Sequence, residues 1–297
     1  MFYIGKNDVA QKASAVYVGV NGVARKVSKA YVGVNGVARL CWSGDDPSIP
    51  TDPAGAAKLN ESWKYGTQRS TITKITFTRT YTPTGSEDSS WTIATGDYGD
   101  IMGYRKNNEV TIVGDNRGQL IADDCHFLFN GCYDLIQIVG FELVDTSLVT
   151  DMRAMFANCG KLTSVNLTNL NTSNVTKMSN MFGFCESLTS LDVTNFDTSK
   201  VTDMSHMFSY CTHLASIDVS GFDTSKVTDM QSMFEMCMCL TSLDLTSFNT
   251  NKVSNMIQLF QNCVNLNQIL VSANTWVTAS NNSNMFYDCG CSDVTYV

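Results

Sequence analysis

Hydrophobic and polar positions recur at a fixed interval through the second half of the chain. The motif Met-Phe-x-x-Cys and its variants begin at Leu128, Met155, Met181, Met207, Met233, Leu259 and Met285. The spacing is 27 residues between the first two copies and 26 residues between all later ones. Self-similarity with a period of about 20 to 50 residues indicates that successive units stack and bury their apolar sides against each other.

Within one unit the spacing of the apolar positions changes halfway. Leu188, Leu191 and Val193 fit the spacing L-x-x-L-x-L, in which alternate side chains of a strand point inward. Residues 201–208 then carry apolar side chains at i, i+3, i+6 and i+7, the spacing of a helical face. Asp197 precedes them and can cap the free amides of a helical turn. We therefore predict a strand, a turn and a short helical or 3₁₀ segment in each unit.

Two slots of the unit keep one residue type in nearly every copy, as buried positions do. They hold the Phe and the Cys of the motif, and a buried, reduced Cys behaves as a small apolar residue. The predicted inner ladder consists of Phe156, Phe182, Phe208, Phe234 and Phe260 with Cys159, Cys185, Cys211, Cys237 and Cys263. Cys132 and Cys289 fill the Cys slot in the outermost copies. We expect free thiols along this ladder.

The slot before each Cys changes from copy to copy, which is typical of surface positions. Three successive copies place Phe184, Tyr210 and Met236 there, between copies that carry Asn or Asp. Contiguous exposed apolar groups with a polar rim mark recognition surfaces, whereas regularly spaced aromatic residues are often packing residues. Both interpretations stay open from the sequence. The candidate binding residues are Phe184, Tyr210, Met236, His206, His213, Glu235 and Met238.

A second polar surface follows the predicted strands. Asp192, Asp218 and Asp244 occupy one outward slot of three successive copies, with Ser or Thr on either side. This acidic, repetitive pattern offers polar contacts and little discrimination between ligands. It favours a solvated strand face.

The complete unit x-M-F-x-x-C-x-x-L-T-S-L-D-V-T-N-F-D-T-S-K-V-T-D-M resembles the 26-residue repeat of BspA-like leucine-rich-repeat surface proteins. The resemblance implies a right-handed solenoid that serves adhesion or recognition rather than catalysis. Such proteins usually carry a secretion signal and an anchor. Here the N-terminal residues show no basic segment followed by a long apolar one, so no signal peptide is visible.

The N-terminal residues contain a second, shorter repeat. The string Tyr-Val-Gly-Val-Asn-Gly-Val-Ala-Arg occurs at residues 17–25 and again at 31–39. Asn-Gly between alternating apolar residues is a strong hairpin signal, because a type I′ turn needs positive φ at both central positions. The string resembles tandem modules near the N-termini of phage tail and prophage structural proteins. That resemblance implies attachment to a virion or a multimeric carrier, whereas a small β-cap on the next domain is the simpler interpretation.

These patterns predict an α/β solenoid, a leucine-rich-repeat right-handed coil of about seven 26-residue repeats, preceded by a small all-β cap and N-terminal β-hairpins. Residues 1–42 form the tandem hairpin attachment segment, and residues 43–56, rich in Pro, form a linker. Residues 57–122 contain short β-branched runs separated by Gly and Asp, and they form a β cap for the first repeat. Residues 123–297 form the solenoid.

Composition narrows the function classes. The net charge of −8 disfavours nucleic acid and anionic membranes as partners, and no apolar run is long enough to span a membrane. The pairs Cys237-Met-Cys239 and Cys289-Gly-Cys291 lack the two-residue gap of zinc sites. His206 and His213 share a repeat with Cys211 but occupy slots that are polar in other copies, so a Cys–His catalytic pair is not expected. We predict a protein that is not an enzyme and has no metal or cofactor.

The sequence as a whole favours a recognition or adhesion protein. The first hypothesis is a phage or prophage tail-associated receptor-binding protein, located on the virion. Its solenoid contacts a bacterial surface glycan or protein receptor, and its hairpins bind a tail protein. The second is a bacterial cell-surface adhesin of the BspA-like type, and the third a structural spacer without a specific ligand. A homo-oligomer is compatible with the sequence.

Overall fold

The computed structural model describes residues 2–6, 9–13, 16–20, 23–27, 29–34 and 37–43 by their backbone, and residues 58–59, 69–95, 100–115, 118 and 120–297 in full. The chain divides into two compact units, Met1–Ala56 and Ala57–Val297. The predicted linker, residues 43–56, lies outside the described residues apart from Ser43.

The first unit contains three pairs of antiparallel strands. Strand β3 pairs with β4 so that Gly19 lies opposite Ala24, and β5 pairs with β6 so that Gly33 lies opposite Ala38. The Asn-Gly dipeptides between these strands are outside the described residues. The strands are β1 (Phe2–Lys6), β2 (Val9–Ala13), β3 (Val16–Val20), β4 (Val23–Val27), β5 (Lys29–Val34) and β6 (Val37–Ser43). Short strands of this kind are marginal alone and need a surface to pack on.

The second unit begins with two sheets. Their strands are β7 (Lys58–Leu59), β8 (Lys74–Thr78), β9 (Ser89–Ala94), β10 (Ile101–Lys106), β11 (Glu109–Val113), β12 (Leu120–Ala122), β13 (Gln137–Val139) and β14 (Val144–Asp145). One sheet has the order β13-β8-β11-β10-β9 and the other β14-β12-β7. Strands β13 and β14 belong to the first repeat, so the cap and the repeats share both sheets.

The core of the cap continues into the repeats without a break. Along β8, Ile75 and Phe77 are buried while the residues between them are partly exposed. The ring of Phe77 lies 6.1 Å from that of Phe129 and 5.6 Å from that of Phe141. Both of these belong to the first repeat. The apolar end that a stack of repeats would otherwise leave open is therefore covered by the cap.

After β13 and β14 of the first repeat, regular strands in the described residues return only in the last repeats. β15 (Ser242–Leu245), β16 (Gln268–Val271) and β17 (Thr295–Tyr296) form a parallel three-stranded sheet. Elsewhere neighbouring repeats meet through single parallel bridges, each linking one residue to the residue 26 positions later. These bridges join Asp151, Lys177, Asp203, Asp229, Asn255 and Asn281 in succession. We call residues 123–297 the repeat stack.

The prediction of an α/β solenoid is wrong. The structure contains no α-helix within the described residues, and its two 3₁₀ segments, Arg69–Thr71 and Phe141–Leu143, lie outside the segments predicted to be helical. The predicted strands at residues 165–167, 191–193 and 217–219 are not strands, so no single sheet runs through the repeats. The chain is instead nearly all β, with separate sheets of mixed arrangement joined by turns.

The predicted helical segment does not form, because its backbone amides donate to carbonyls in two different repeats. The amides of His206 and Phe208 donate to carbonyls of the next repeat, over 2.7 and 3.0 Å. The amides of Met207 and Ser209 donate to the carbonyl three residues earlier in their own repeat. Beyond its first turn, an α-helix needs each amide to bond to the carbonyl four residues earlier. His206 also has a φ of 56°, a left-handed conformation that ends any right-handed helical turn.

Candidate functional site

The predicted inner ladder lies at the centre of the repeat stack. Its ring centroids are 5.3 Å apart for Phe156 and Phe182, 5.9 Å for Phe182 and Phe208, and 5.7 Å for Phe208 and Phe234, and these rings are within 20° of parallel. All ten residues have no exposed surface: Phe156, Phe182, Phe208, Phe234, Phe260, Cys159, Cys185, Cys211, Cys237 and Cys263. They therefore position the neighbouring surface slots and cannot themselves contact a ligand.

The ladder cysteines link repeats through their thiols. The Sγ of Cys185 donates to the carbonyl oxygen of Phe156 over 3.1 Å, and that of Cys211 donates to Phe182 over 3.3 Å. Burial, followed by the next thiol of the ladder, raises the pKa of Cys185 and of Cys211 well above the usual value. Because the thiolate is the reactive form, these thiols are inert structural groups.

The slot before each Cys has a left-handed backbone. Its φ is 60° at Phe184, 61° at Tyr210 and 58° at Met236, and Asn158, Asn262 and Asp288 in the other repeats have values between 54° and 61°. Asn and Asp tolerate this region best, whereas for a bulky residue it is an outlier. Three bulky side chains thus occupy positions whose backbone favours Asn. We call Phe184, Tyr210 and Met236 the outer stripe.

The outer stripe presents apolar surface to solvent. Phe184 is 38% exposed, and Tyr210 and Met236 are half-buried. The rings of Phe184 and Tyr210 stack with centroids 4.5 Å apart and an interplanar angle of 17°. Offset-stacked aromatic pairs contribute about 0.5–1.5 kcal/mol beyond their buried area. The stripe is therefore a preformed aromatic step and not part of the core.

Polar groups border the stripe. Asn158 and Asn262 occupy the same slot in the flanking repeats and are half-buried. Glu235 is half-buried, and its carboxylate accepts a 3.4 Å hydrogen bond from the hydroxyl of the buried Ser209 in the preceding repeat. A partly exposed apolar strip with polar ends has the composition of a small recognition surface.

The remaining predicted residues lie around the stripe in different slots. His206 is half-buried in a second left-handed slot four residues before Tyr210. His213 is exposed, and its Nδ1 lies 2.7 Å from the carbonyl oxygen of Glu186. Met238 is half-buried, and its carbonyl accepts a 2.8 Å hydrogen bond from the side-chain amide of Asn265. Of these three residues, His213 has a ring that contacts a neighbouring carbonyl, whereas the outer stripe combines an exposed ring with a stacked neighbour.

The geometry offers little catalytic chemistry. Cys211 is fully buried, whereas His213 is exposed, so the two do not form an activated nucleophile. Among the residues that the structure describes, no group of three or more His, Cys, Asp or Glu side chains could hold a metal ion.

The acidic slots are explained by local turns. The carboxylates of Asp192, Asp218 and Asp244 each accept hydrogen bonds from the backbone amide and the hydroxyl two residues later. The bond from the Thr194 hydroxyl is the largest cause of the lowered pKa of Asp192, and that from Ser220 lowers the pKa of Asp218. All three carboxylates are exposed. These side chains close turns and are not arranged around a ligand.

Sequence reasoning missed a second buried ladder. Thr172 is buried, and its hydroxyl donates to the carbonyl of Asp197 over 3.1 Å and accepts the amide of Asp197 over 2.8 Å. The same slot holds Thr146, Thr198, Thr224 and Thr250, all buried. The Thr that follows Asn or Asp recurs visibly in the repeats. Because its side chain is polar, its burial was not predicted. The left-handed slots were also missed, although the Asn and Asp residues that fill them elsewhere were a signal.

Comparison with known proteins gives one family. The profile of the family described as "Mycoplasma protein of unknown function, DUF285" matches residues 123–216 and 186–294, which together exceed half of the chain. No curated protein and no solved structure gives a significant match. Within the described part of the chain, no helix has both the length and the apolar character needed to cross a membrane.

Proposed function

We propose that this chain, which belongs to the family of Mycoplasma proteins of unknown function DUF285, is a non-enzymatic recognition protein that binds a bacterial surface receptor through its outer stripe. The observation that carries the proposal is the presence of Phe184, Tyr210 and Met236 at left-handed backbone positions where three other repeats have Asn or Asp. Backbone conformations that cost free energy and bring no gain in folding stability are typical of functional sites.

The energetics of the stripe support this proposal. A bulky residue in the left-handed region costs on the order of 1–3 kcal/mol. Stacking of Phe184 on Tyr210 returns about 0.5–1.5 kcal/mol, and neither side chain is fully buried. Folding alone therefore does not favour these side chains over Asn, and a bound partner would supply the missing stabilisation.

The chemistry of the surface favours a receptor with apolar and hydrogen-bonding groups. Aromatic rings and Met supply adaptable apolar contact, while the amides of Asn158 and Asn262 border them. A surface glycan or a surface protein has groups of both kinds. The net charge of −8 makes nucleic acid a poor partner.

The location that we propose is the virion of a phage or prophage, with the first unit bound to a tail protein. Its support is the resemblance of residues 17–25 and 31–39 to tail modules, together with the antiparallel strand pairs that these residues form. A cell-surface adhesin is the second candidate, supported by the resemblance of the 26-residue unit to BspA-like repeats. Both use the same binding surface.

Binding to intact bacterial cells tests the proposal. The chain is compared with the triple variant Phe184→Asn/Tyr210→Asn/Met236→Asn, in which the stripe receives the residue that the backbone tolerates best. We expect the variant to remain folded, because Asn occupies this slot at 158 and 262. We expect it to lose at least tenfold in affinity for cells that the parent chain binds.

A control variant removes apolar surface elsewhere. Ile136, Leu148 and Val277 are exposed and lie outside the stripe, and replacing all three with Asn should leave binding unchanged. Equal binding by the parent and the stripe variant would refute the proposal, and a chain that binds no cell type would favour a spacer. Protease or periodate treatment of the cells then distinguishes a protein receptor from a glycan.

A further inference from the structure

The cysteines of the second unit have three different environments. The ladder cysteines are buried between repeats, and Cys239 is exposed as a single thiol. Cys289 and Cys291 are half-buried, and their Sγ atoms lie 3.7 Å apart. The two thiols are thus within hydrogen-bonding distance of each other. The pair therefore combines mutual proximity with partial exposure.

The backbone holds the two cysteines in place. The amide of Gly290, between them, donates to the carbonyl of Cys263 over 3.1 Å. A Cβ atom at Gly290 would lie 2.8 Å from the carbonyl oxygen of Leu266 and 2.9 Å from that of Val264. Only Gly fits this close approach to the preceding repeat. Gly290 is thereby anchored to the preceding repeat, with a half-buried thiol on each side of it.

We propose that Cys289 and Cys291 form a dithiol site for small-molecule disulfides. One thiolate attacks a sulfur of the small disulfide, forms a mixed disulfide and releases the first small thiol. The other cysteine then attacks the protein sulfur of that mixed disulfide, loses its proton and releases the second small thiol. The protein loses two hydrogen atoms in forming the Cys289–Cys291 bond, and the small disulfide is reduced to two thiols.

The distance suits the second step. The Sγ atoms must move from 3.7 Å to about 2.05 Å, the length of a disulfide bond. A rotation of the side chains about their Cα–Cβ bonds changes Sγ positions on this scale without moving the anchored Gly290. Within the described part of the chain no second thiol is shown in contact with that of Cys239, so an adduct on it should persist.

Either thiol can begin the reaction, because both are half-buried. Burial, then the neighbouring Cys289, raises the pKa of Cys291. The Sγ atoms lie 3.7 Å apart, so whichever cysteine forms the mixed disulfide has the other beside it to resolve it.

A metal ion is a poorer occupant of this pair than a disulfide. A structural zinc site needs four ligands, and the described residues provide no group of three or more potential ligands around the two sulfurs. Reaction with a disulfide needs only the two thiols. The inference does not depend on the proposed receptor binding, because it concerns two thiols in a different repeat from the outer stripe.

Incubation of the full chain with oxidised glutathione at neutral pH tests the proposal. The reaction is quenched with acid, the remaining thiols are alkylated, and each cysteine is read by peptide mass mapping. We expect the peptide with Cys289 and Cys291 to lose two hydrogen atoms and carry neither glutathione nor alkyl group. Cys239 should carry one glutathione, and Cys211 should be alkylated only after denaturation.

Two variants separate the steps. In Cys291→Ser we expect the reaction to stop at a stable glutathione adduct on Cys289. In Cys289→Ser we expect the reaction to stop at a stable glutathione adduct on Cys291. A lasting glutathione adduct on either cysteine of the unsubstituted chain, or no reaction of the pair while Cys239 reacts, would overturn the proposal. The unsubstituted chain alone gives this answer, so a folding defect in a variant does not obscure it.

Discussion

The repeat stack contains two aromatic stacks that lie side by side and behave differently. Phe182 and Phe208 stack 5.9 Å apart with no exposed surface, and Phe184 and Tyr210, two residues further along the same repeats, stack 4.5 Å apart at the surface. The inner stack continues through seven consecutive Phe copies, from Phe129 to Phe286. The outer stack ends after two rings and gives way to Met and then Asn.

The difference reflects the constraint that acts on each position. An inner ring is enclosed by the repeats on both sides, so a change of volume leaves a cavity or a clash. An outer ring adds little to folding and sits on a backbone that favours Asn. The residue type at the outer position can therefore vary to suit a binding partner. The comparison predicts large stability effects inside, small ones outside, and the reverse order for binding.

The largest effect is expected from Phe208→Ala. The ring is packed between Phe182 and Phe234, at 5.9 and 5.7 Å, and its removal leaves a cavity that the rigid stack closes poorly. We expect a loss of about 3–5 kcal/mol in the free energy of unfolding. Denaturant titration measures it, and an unchanged midpoint would show that the inner stack does not support the fold.

A smaller effect is expected from Thr172→Val. The substitution keeps the shape but leaves the amide and carbonyl of Asp197 without their hydroxyl partner. We expect a loss of about 1–3 kcal/mol, measured by the same titration. Thr202→Val is the control, because the Thr202 hydroxyl is at the surface, and it should cost less than about 0.5 kcal/mol. Equal losses for the two variants would mean that burial of the hydroxyl does not matter.

Tyr210→Asn tests the outer stack. Relief of the left-handed backbone offsets the lost stacking on Phe184, so we expect the free energy of unfolding to change by less than about 1 kcal/mol. Binding to cells should weaken in the same variant. A loss as large as that of Phe208→Ala would place the outer ring with the core and remove the basis of the proposed site.

The smallest effect is expected from a surface carboxylate in the cap. The carboxylate of Glu87 accepts a hydrogen bond from the amide of Thr84 over 2.7 Å and another from the hydroxyl of Tyr81 over 2.8 Å. These bonds lower the pKa of Glu87 from 4.5 to about 2, and the bond from the Thr84 amide has the largest effect. Because the folded pKa is lowered, this stabilisation is complete above pH 4.5 and is lost as the pH falls towards 2. The protection factor of the Thr84 amide, which is its exchange rate corrected for the intrinsic effect of pH, should fall in that window. In Glu87→Gln the protection factor should stay constant over the window, and an identical fall in both would exclude this carboxylate.

Part of the candidate site could be predicted from the sequence. Comparison of the repeats separated the constant slots of Phe182 and Cys185 from the variable slot of Phe184, because burial limits which residues fit. It could not say whether the variable slot was exposed. That depends on the left-handed backbone, which turns these side chains away from the core.

The period of the chain, the inward direction of its Phe and Cys side chains and the strands of the cap followed from the sequence. These features depend on spacing and hydrophobicity, which are local properties. The choice between helix and turn in residues 201–208 did not follow, because the apolar spacing of a helix and that of this turn are alike. Only the neighbouring repeat decided it, since its carbonyls accept the amides of His206 and Phe208 and so interrupt the run of bonds that a helix needs.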